Sequence, residues 1–205
     1  MTEMTKEQLL KAYQGLHDGS ASYRVGDKLA RDESGYLFDG SNFYEKLWTH
    51  FKEWASTRDS FRLLDYGCGK AKHLYQPHLE KKTFHQYFGG KVQEYYCYDP
   101  GNKKFEKPPV QTAKFDVVIC ADVMEHVLES DVDQTLLEIS NWLAPDGIAM
   151  FSISGDVAKK KFADGTNLHV CVKDFQWWRA KLNAMGRRYV CVYTAGNNVI
   201  LAKKV

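Results

Sequence analysis

The residues of this 205-residue chain whose types and spacing could do chemistry fall in three short stretches. The first is Leu63-Leu64-Asp65-Tyr66-Gly67-Cys68-Gly69, an apolar run closed by an acid and broken by a Gly-x-Gly turn. The second is Tyr98-Asp99-Pro100, an acid at the end of an aromatic run. The third is Ala121-Asp122-Val123-Met124-Glu125-His126, at the end of the almost continuous apolar run Phe115–Ala121. A strand, a glycine turn and a helix in that order set backbone N–H groups at the carboxyl edge of a sheet, where small molecules bind. Glycine lets a ligand or another segment approach the main chain and admits positive φ. Two histidines are candidate proton acceptors, because imidazole titrates near neutral pH. His126 follows the apolar strand, and His169 lies in a polar loop after Asn167. Glu125 could orient His126 or cap the helix that follows.

Periodicity supplies the elements that must hold these residues. Leu9, Leu10, Tyr13 and Leu16 predict a helix over 5–17, capped by Thr5, and Phe43, Leu47, Phe51 and Trp54 predict another over 41–55. The segment 19–40, with Tyr23, Tyr36 and Phe38, reads as an irregular lid. Strands are expected over 62–66, 94–99, 115–121 and 147–154, with helices over 71–80, 131–143 and 173–185. Val132, Leu136, Leu137, Ile139 and Leu143 are expected to face inward, and Pro145-Asp146-Gly147 to turn. Two apolar runs, 188–195 and 199–203, flank Gly196-Asn197-Asn198 and predict a β-hairpin. Alternating strands and helices imply an α/β fold: a doubly wound, mostly parallel sheet with helices on both faces, closed by a C-terminal antiparallel hairpin. The domain reading is a helical extension or lid over 1–58 and a Rossmann-like domain over 59–205.

Asp65-x-Gly-x-Gly, the Tyr98-Asp99-Pro100 strand end and the segment Phe115–Val127 together resemble class I S-adenosylmethionine-dependent methyltransferases, over residues 62–205. Asp122-Val-Met-Glu-His-Val and Asn167-x-His169 before a Trp-bearing helix resemble the branch that methylates small molecules. The resemblance implies a transferase that binds S-adenosylmethionine and releases S-adenosylhomocysteine. It implies that Gly67, Cys68 and Gly69 carry the methionine part of the cofactor and that Asp65 orders the turn and the cofactor amino group, directly or through water. Asp99 and Pro100 would hold the ribose, and Ala121 and Asp122 would line the sulfonium region. A carboxylate ending the second strand suits a sugar diol on general grounds too. The chain departs from the family pattern at Ala71, where a third glycine is common. The interval from Asp99 to Phe115 contains Pro108 and Pro109 and is too short for a helix and a third strand. An insertion is expected around 83–91.

Composition narrows the alternatives. A net charge of +2 gives no reason to expect a nucleic-acid or membrane partner, and the acceptor is expected to be a small molecule. The five dispersed cysteines include no Cys-x-x-Cys pair, so no metal site is expected, and a reducing, cytoplasmic setting is. A dehydrogenase would need a third glycine where Lys72 stands. An amino-group DNA methylase would need Asn/Asp-Pro-Pro where Asp122-Val123-Met124 stands, and a cytosine-C5 enzyme would need a Pro-Cys pair. A cofactor-binding module without transferase activity stays open, as does the oligomeric state.

Overall fold

The computed structural model describes residues 4–33, 37–74 and 82–204. Six strands form the main sheet: β3 (Phe61–Tyr66), β4 (Val92–Tyr98), β5 (Phe115–Ala121), β6 (Leu143–Ser154), β8 (Arg188–Ala195) and β9 (Asn198–Lys204). Their spatial order is β4-β3-β5-β6-β8-β9. All neighbours are parallel except β8 and β9, which form the expected hairpin around Gly196-Asn197. From β3 the chain goes to β4 on one side and then to β5 on the other. That reversal opens a crevice beyond the carboxyl ends of β3 and β5, where open α/β sheets bind ligands.

Alternation along the strands sends side chains to two cores. Leu64, Val118 and Phe151 pack under helices α4 (Val132–Trp142) and α5 (Phe175–Ala184). Leu63, Val117, Ile119 and Met150 pack under a π-helical turn at Phe43–Leu47, α2 (Trp48–Ser56) and the short α3 (Phe84–Phe88). The helical stripe expected over 41–55 is real, and its first part is wound as a π-helix. Residues 100–114 hold turns and no helix or strand, as their length and prolines require. The insertion around 83–91 contains α3 and a 3-10 turn.

Helix α1 (Lys6–His17) starts at a capping box in which Thr5 and Gln8 exchange hydrogen bonds. Its buried face, Leu9, Tyr13 and Leu16, packs with Leu37, Phe162 and Leu168 in a third cluster. The segment after it differs from the irregular lid expected there. Tyr23–Val25 (β1) and Lys28–Ala30 (β2) form a hairpin, and Lys160–Phe162 (β7) adds a third strand to it. The Gly26-Asp27 turn, with Gly26 at φ +58°, was the local signal for that hairpin. Tyr36 lies outside the described residues. Of the helix expected over 71–80, the described part holds a 3-10 turn at Lys72–Leu74, and 75–80, Pro77 included, lie outside the described residues. Leu137 faces solvent, because it falls opposite the stripe set by Val132, Leu136 and Ile139. Pro145-Asp146-Gly147 lies within β6 as a bulge, where the register jumps from Phe115↔Leu143 to Val117↔Ile148.

Candidate functional site

A cavity of about 270 Å³ opens at the switch point. Its floor is the carboxyl edge of the sheet: Tyr66 at the end of β3 with Gly67 and Gly69 beyond it, Asp99 and Pro100 after β4, and Ala121 at the end of β5 with Asp122 and His126 beyond it. Its roof is α1 and the lid segment, through Leu9, Tyr13, His17, Phe38 and Asn42. Asp65, Cys68, Glu125 and His169 stand behind the wall and do not line it.

The glycine turn owes its glycines mainly to close approach of the chain's own segments. Gly67 and Gly69 have φ of +75° and +59°. A Cβ on Gly69 would lie 2.1 Å from the Phe38 carbonyl oxygen, and one on Gly67 would lie 2.3 Å from Val123 Cγ2. The turn's N–H groups are already used. Gly67 N–H donates to the Tyr98 carbonyl, Gly69 N–H to Asp99 and Lys70 N–H to the Phe38 carbonyl. The Gly67 carbonyl accepts no hydrogen bond among the described residues. Ala71 takes φ +50°, so the third-glycine conformation is kept without the glycine. Phe38 and Asp122 also sit at positive φ, and both line the cavity. Such conformations cost about 1 kcal/mol each and collect at functional sites.

Asp65 is turned under the floor. Its Oδ2 accepts from Tyr95 Oη at 3.0 Å and sits 2.9 Å from His73 Nε2. Tyr95 and His73 hold it there, and it does not line the cavity, so it is not placed to meet a cofactor amino group directly, as the resemblance implied. Cys68 is buried beside it. Asp99 faces the cavity. Its Oδ2 takes Gly69 N–H at 2.9 Å and its Oδ1 takes Gly101 N–H at 2.8 Å, which leaves each oxygen a second lone pair. Burial pushes its pKa up to about 6 against the pull of those two N–H groups. Asp122 pairs with Lys46 and accepts from Ser152 Oγ at 2.6 Å.

His126 is the chemically most informative residue. Its Nδ1 lies 2.9 Å from the Leu168 carbonyl and 3.0 Å from Tyr13 Oη, whose own proton goes to the same carbonyl oxygen at 2.7 Å. A carbonyl only accepts, so Nδ1 carries the proton and Nε2 the lone pair. Burial, helped by His169, lowers its pKa to about 4, so the ring is neutral at pH 7. Edge-on contacts with Tyr13 and Phe38, at centroid distances of 5.5 and 5.7 Å, fix its plane. His169 packs on the far side of His126, 4.9 Å between ring centres. Glu125 points inward from the 3-10 turn Met124–His126. Its Oε1 accepts from Ser154 N–H at 3.0 Å and Oε2 has no partner. It pins the turn to β6 and does not touch His126.

Tyr13, His17, Phe38 and Asn42 are among the wall residues that no sequence motif marks as part of the site. The stripe on α1 marked Tyr13 as inward-facing, but nothing local says what an N-terminal helix packs against. Residues 30–197 match a family model described as a methyltransferase domain. No curated protein and no solved structure matches the chain. The matched span takes in the glycine turn, the Asp99 strand end, His126 and the whole sheet as far as the hairpin turn, so the chain belongs to the class I S-adenosylmethionine-dependent methyltransferase family.

Proposed function

We propose that this protein transfers a methyl group from S-adenosylmethionine to an oxygen, nitrogen or carbon nucleophile of a small molecule held beneath α1, with His126 receiving the nucleophile's proton. The observation that carries this reading is the neutral His126 ring, with Nδ1–H tied to the Leu168 carbonyl and the ring in the wall of the cavity that also holds Gly67, Asp99 and Asp122.

The residues fit the cofactor. The Gly67 carbonyl suits an ammonium group, and the spare lone pairs of Asp99 suit sugar hydroxyls. Asp99, Asp122, Asp131 and Glu138 line the wall against one lysine, Lys6, and even with Asp122 paired to Lys46 outside the lining this balance favours a cation. When bound, the cofactor supplies an electrophilic methyl on a sulfonium: the nucleophile–carbon bond forms as the carbon–sulfur bond breaks, and sulfur keeps the electron pair. The chain's own work is alignment, exclusion of water and proton removal. Tyr13, Phe38 and Val123 form an apolar wall around the reacting space. His126 with a pKa near 4 is a weak base, suited to a hydroxyl or amine proton that becomes acidic only as the new bond forms. Asp131 and Glu138 at the wall disfavour a phosphate backbone, which supports a small acceptor over a nucleic acid.

The test is incubation with methyl-labelled cofactor and fractionated cell extract. Label is expected in a small-molecule fraction, and His126→Gln is expected to slow transfer by about 100-fold, the scale of lost general-base assistance. Label in nucleic acid or protein, or equal rates for the two proteins, would refute the reading.

A further inference from the structure

His17, the last residue of α1, is 94% buried by its side chain, which is 6% exposed, and it lines the cavity beside Asp99. Its ring rests on Phe38 at a centroid distance of 5.1 Å. Its Nδ1 is buried without a hydrogen-bond partner. Its Nε2 lies 3.8 Å from Asp99 Oδ2, too far for a hydrogen bond and too close for the two groups to ignore each other. The ring is neutral at pH 7, because burial and the nearby Lys70 lower its pKa to about 4. One N–H is therefore available. The Asp99 carboxylate favours that proton on Nε2, which leaves the buried Nδ1 as an unpartnered acceptor, a cheaper orphan than a buried N–H. A single oxygen can stand about 2.8 Å from both Nε2 and Oδ2 across such a gap. That oxygen must donate to the carboxylate and accept from the imidazole, and a hydroxyl does both.

We propose that His17 is a cofactor-binding residue: one ribose hydroxyl bridges His17 Nε2 and Asp99 Oδ2, and the second hydroxyl lies on Asp99 Oδ1. The ligand class is a nucleoside with an intact vicinal diol. This rests on the cofactor reading above, and it adds that α1 reads the occupied site, so the helix docks more firmly on a bound ribose than on the unfilled cavity. Tyr13, one turn earlier, sits against Gly101 and shares the Leu168 carbonyl with His126. Docking of α1 thus joins the ribose seat to the proposed base.

The test is calorimetric titration of S-adenosylhomocysteine into the wild type, His17→Phe and His17→Ala. Phenylalanine keeps the packing on Phe38 and deletes both nitrogens. Both variants are expected to bind about tenfold more weakly, the scale of one hydrogen bond. Adenosine should bind the wild type more tightly than its 2′-deoxy or 3′-deoxy form, and His17→Phe should lose the preference for one of those hydroxyls. Long-range proton–nitrogen spectra of the wild type give a readout that needs no variant. The His17 ring nitrogens should shift on adding S-adenosylhomocysteine, whereas those of exposed His85 should not. Undiminished binding by both variants, or unmoved His17 signals in a wild type that binds, would overturn the proposal and leave the cofactor reading intact. A wild type that does not bind S-adenosylhomocysteine would overturn both.

Discussion

Replacing Glu125 with Gln should make the protein more stable at neutral and alkaline pH. Glu125 is wholly buried, and only one of its oxygens has a partner. Burial first, and the negative charge of Asp122 second, raise its pKa from 4.5 to about 8, against the pull of backbone N–H groups and Lys46. Between those two values the folded protein holds a proton that the unfolded chain has released. Stability therefore falls as pH rises, by about 1.4 kcal/mol per unit, and the loss ends above the folded pKa. His17 and His126 act in the opposite sense. Their pKa values are lowered to about 4, so they add stability as pH rises from there to 6.5. Asp99, raised to about 6, loses its contribution by then. From pH 6.5 to 8 the Glu125 slope stands alone, and the wild type should lose about 2 kcal/mol. Gln keeps the shape and a carbonyl oxygen for the Ser154 N–H and cannot ionise, so its curve should be nearly flat over that window. Urea unfolding followed by tryptophan fluorescence at half-unit steps of pH measures both slopes. Parallel curves for the two proteins would refute the reasoning, because they would mean that Glu125 stays ionised and compensated in the fold.

Binding of S-adenosylhomocysteine should be level above pH 7 and weaken below pH 6, by up to about tenfold per unit, as Asp99 takes up a proton; titrations at pH 5, 6 and 8 check this. Gly69→Ala should weaken that binding and destabilise the fold by more than about 1 kcal/mol, since its Cβ would meet the Phe38 carbonyl 2.1 Å away in a positive-φ turn; unfolding and titration of the variant measure both effects. Tyr13→Phe should cost about 1 kcal/mol through the lost hydrogen bond to the Leu168 carbonyl, read by urea unfolding, and should leave the His126 tautomer unchanged in proton–nitrogen spectra.

The sheet was legible because buried parallel strands are written as apolar runs. Phe115–Ala121 appears with the bounds its sequence suggested, and the hairpin turn announced itself as Gly-Asn. The glycine turn and Asp99 were legible for the same reason: local geometry and local residue type coincide there. Asp65 shows where that reasoning stops. Its position at the strand end was right, but its direction depends on Tyr95 and His73, which come from a neighbouring strand and a later turn. The fate of Glu125 likewise rests on Ser154, a long way along the chain on β6. The roof was least legible. That α1 brings Tyr13 and His17 over the switch point is a tertiary fact, and the small β2-β1-β7 sheet that ties the lid to the loop before α5 pairs strands far apart in sequence. Side-chain periodicity reports which face is buried and carries no word about the surface that buries it.

The central claim is that the crevice at the β3–β5 switch point holds an adenosyl sulfur compound against Asp99. Calorimetric titration of S-adenosylhomocysteine into the wild type and into Asp99→Ala tests it most directly. The wild type should bind saturably and one to one, and the variant, which should still unfold cooperatively, at least about tenfold more weakly. Equal affinities, or no binding by the folded wild type, would contradict it.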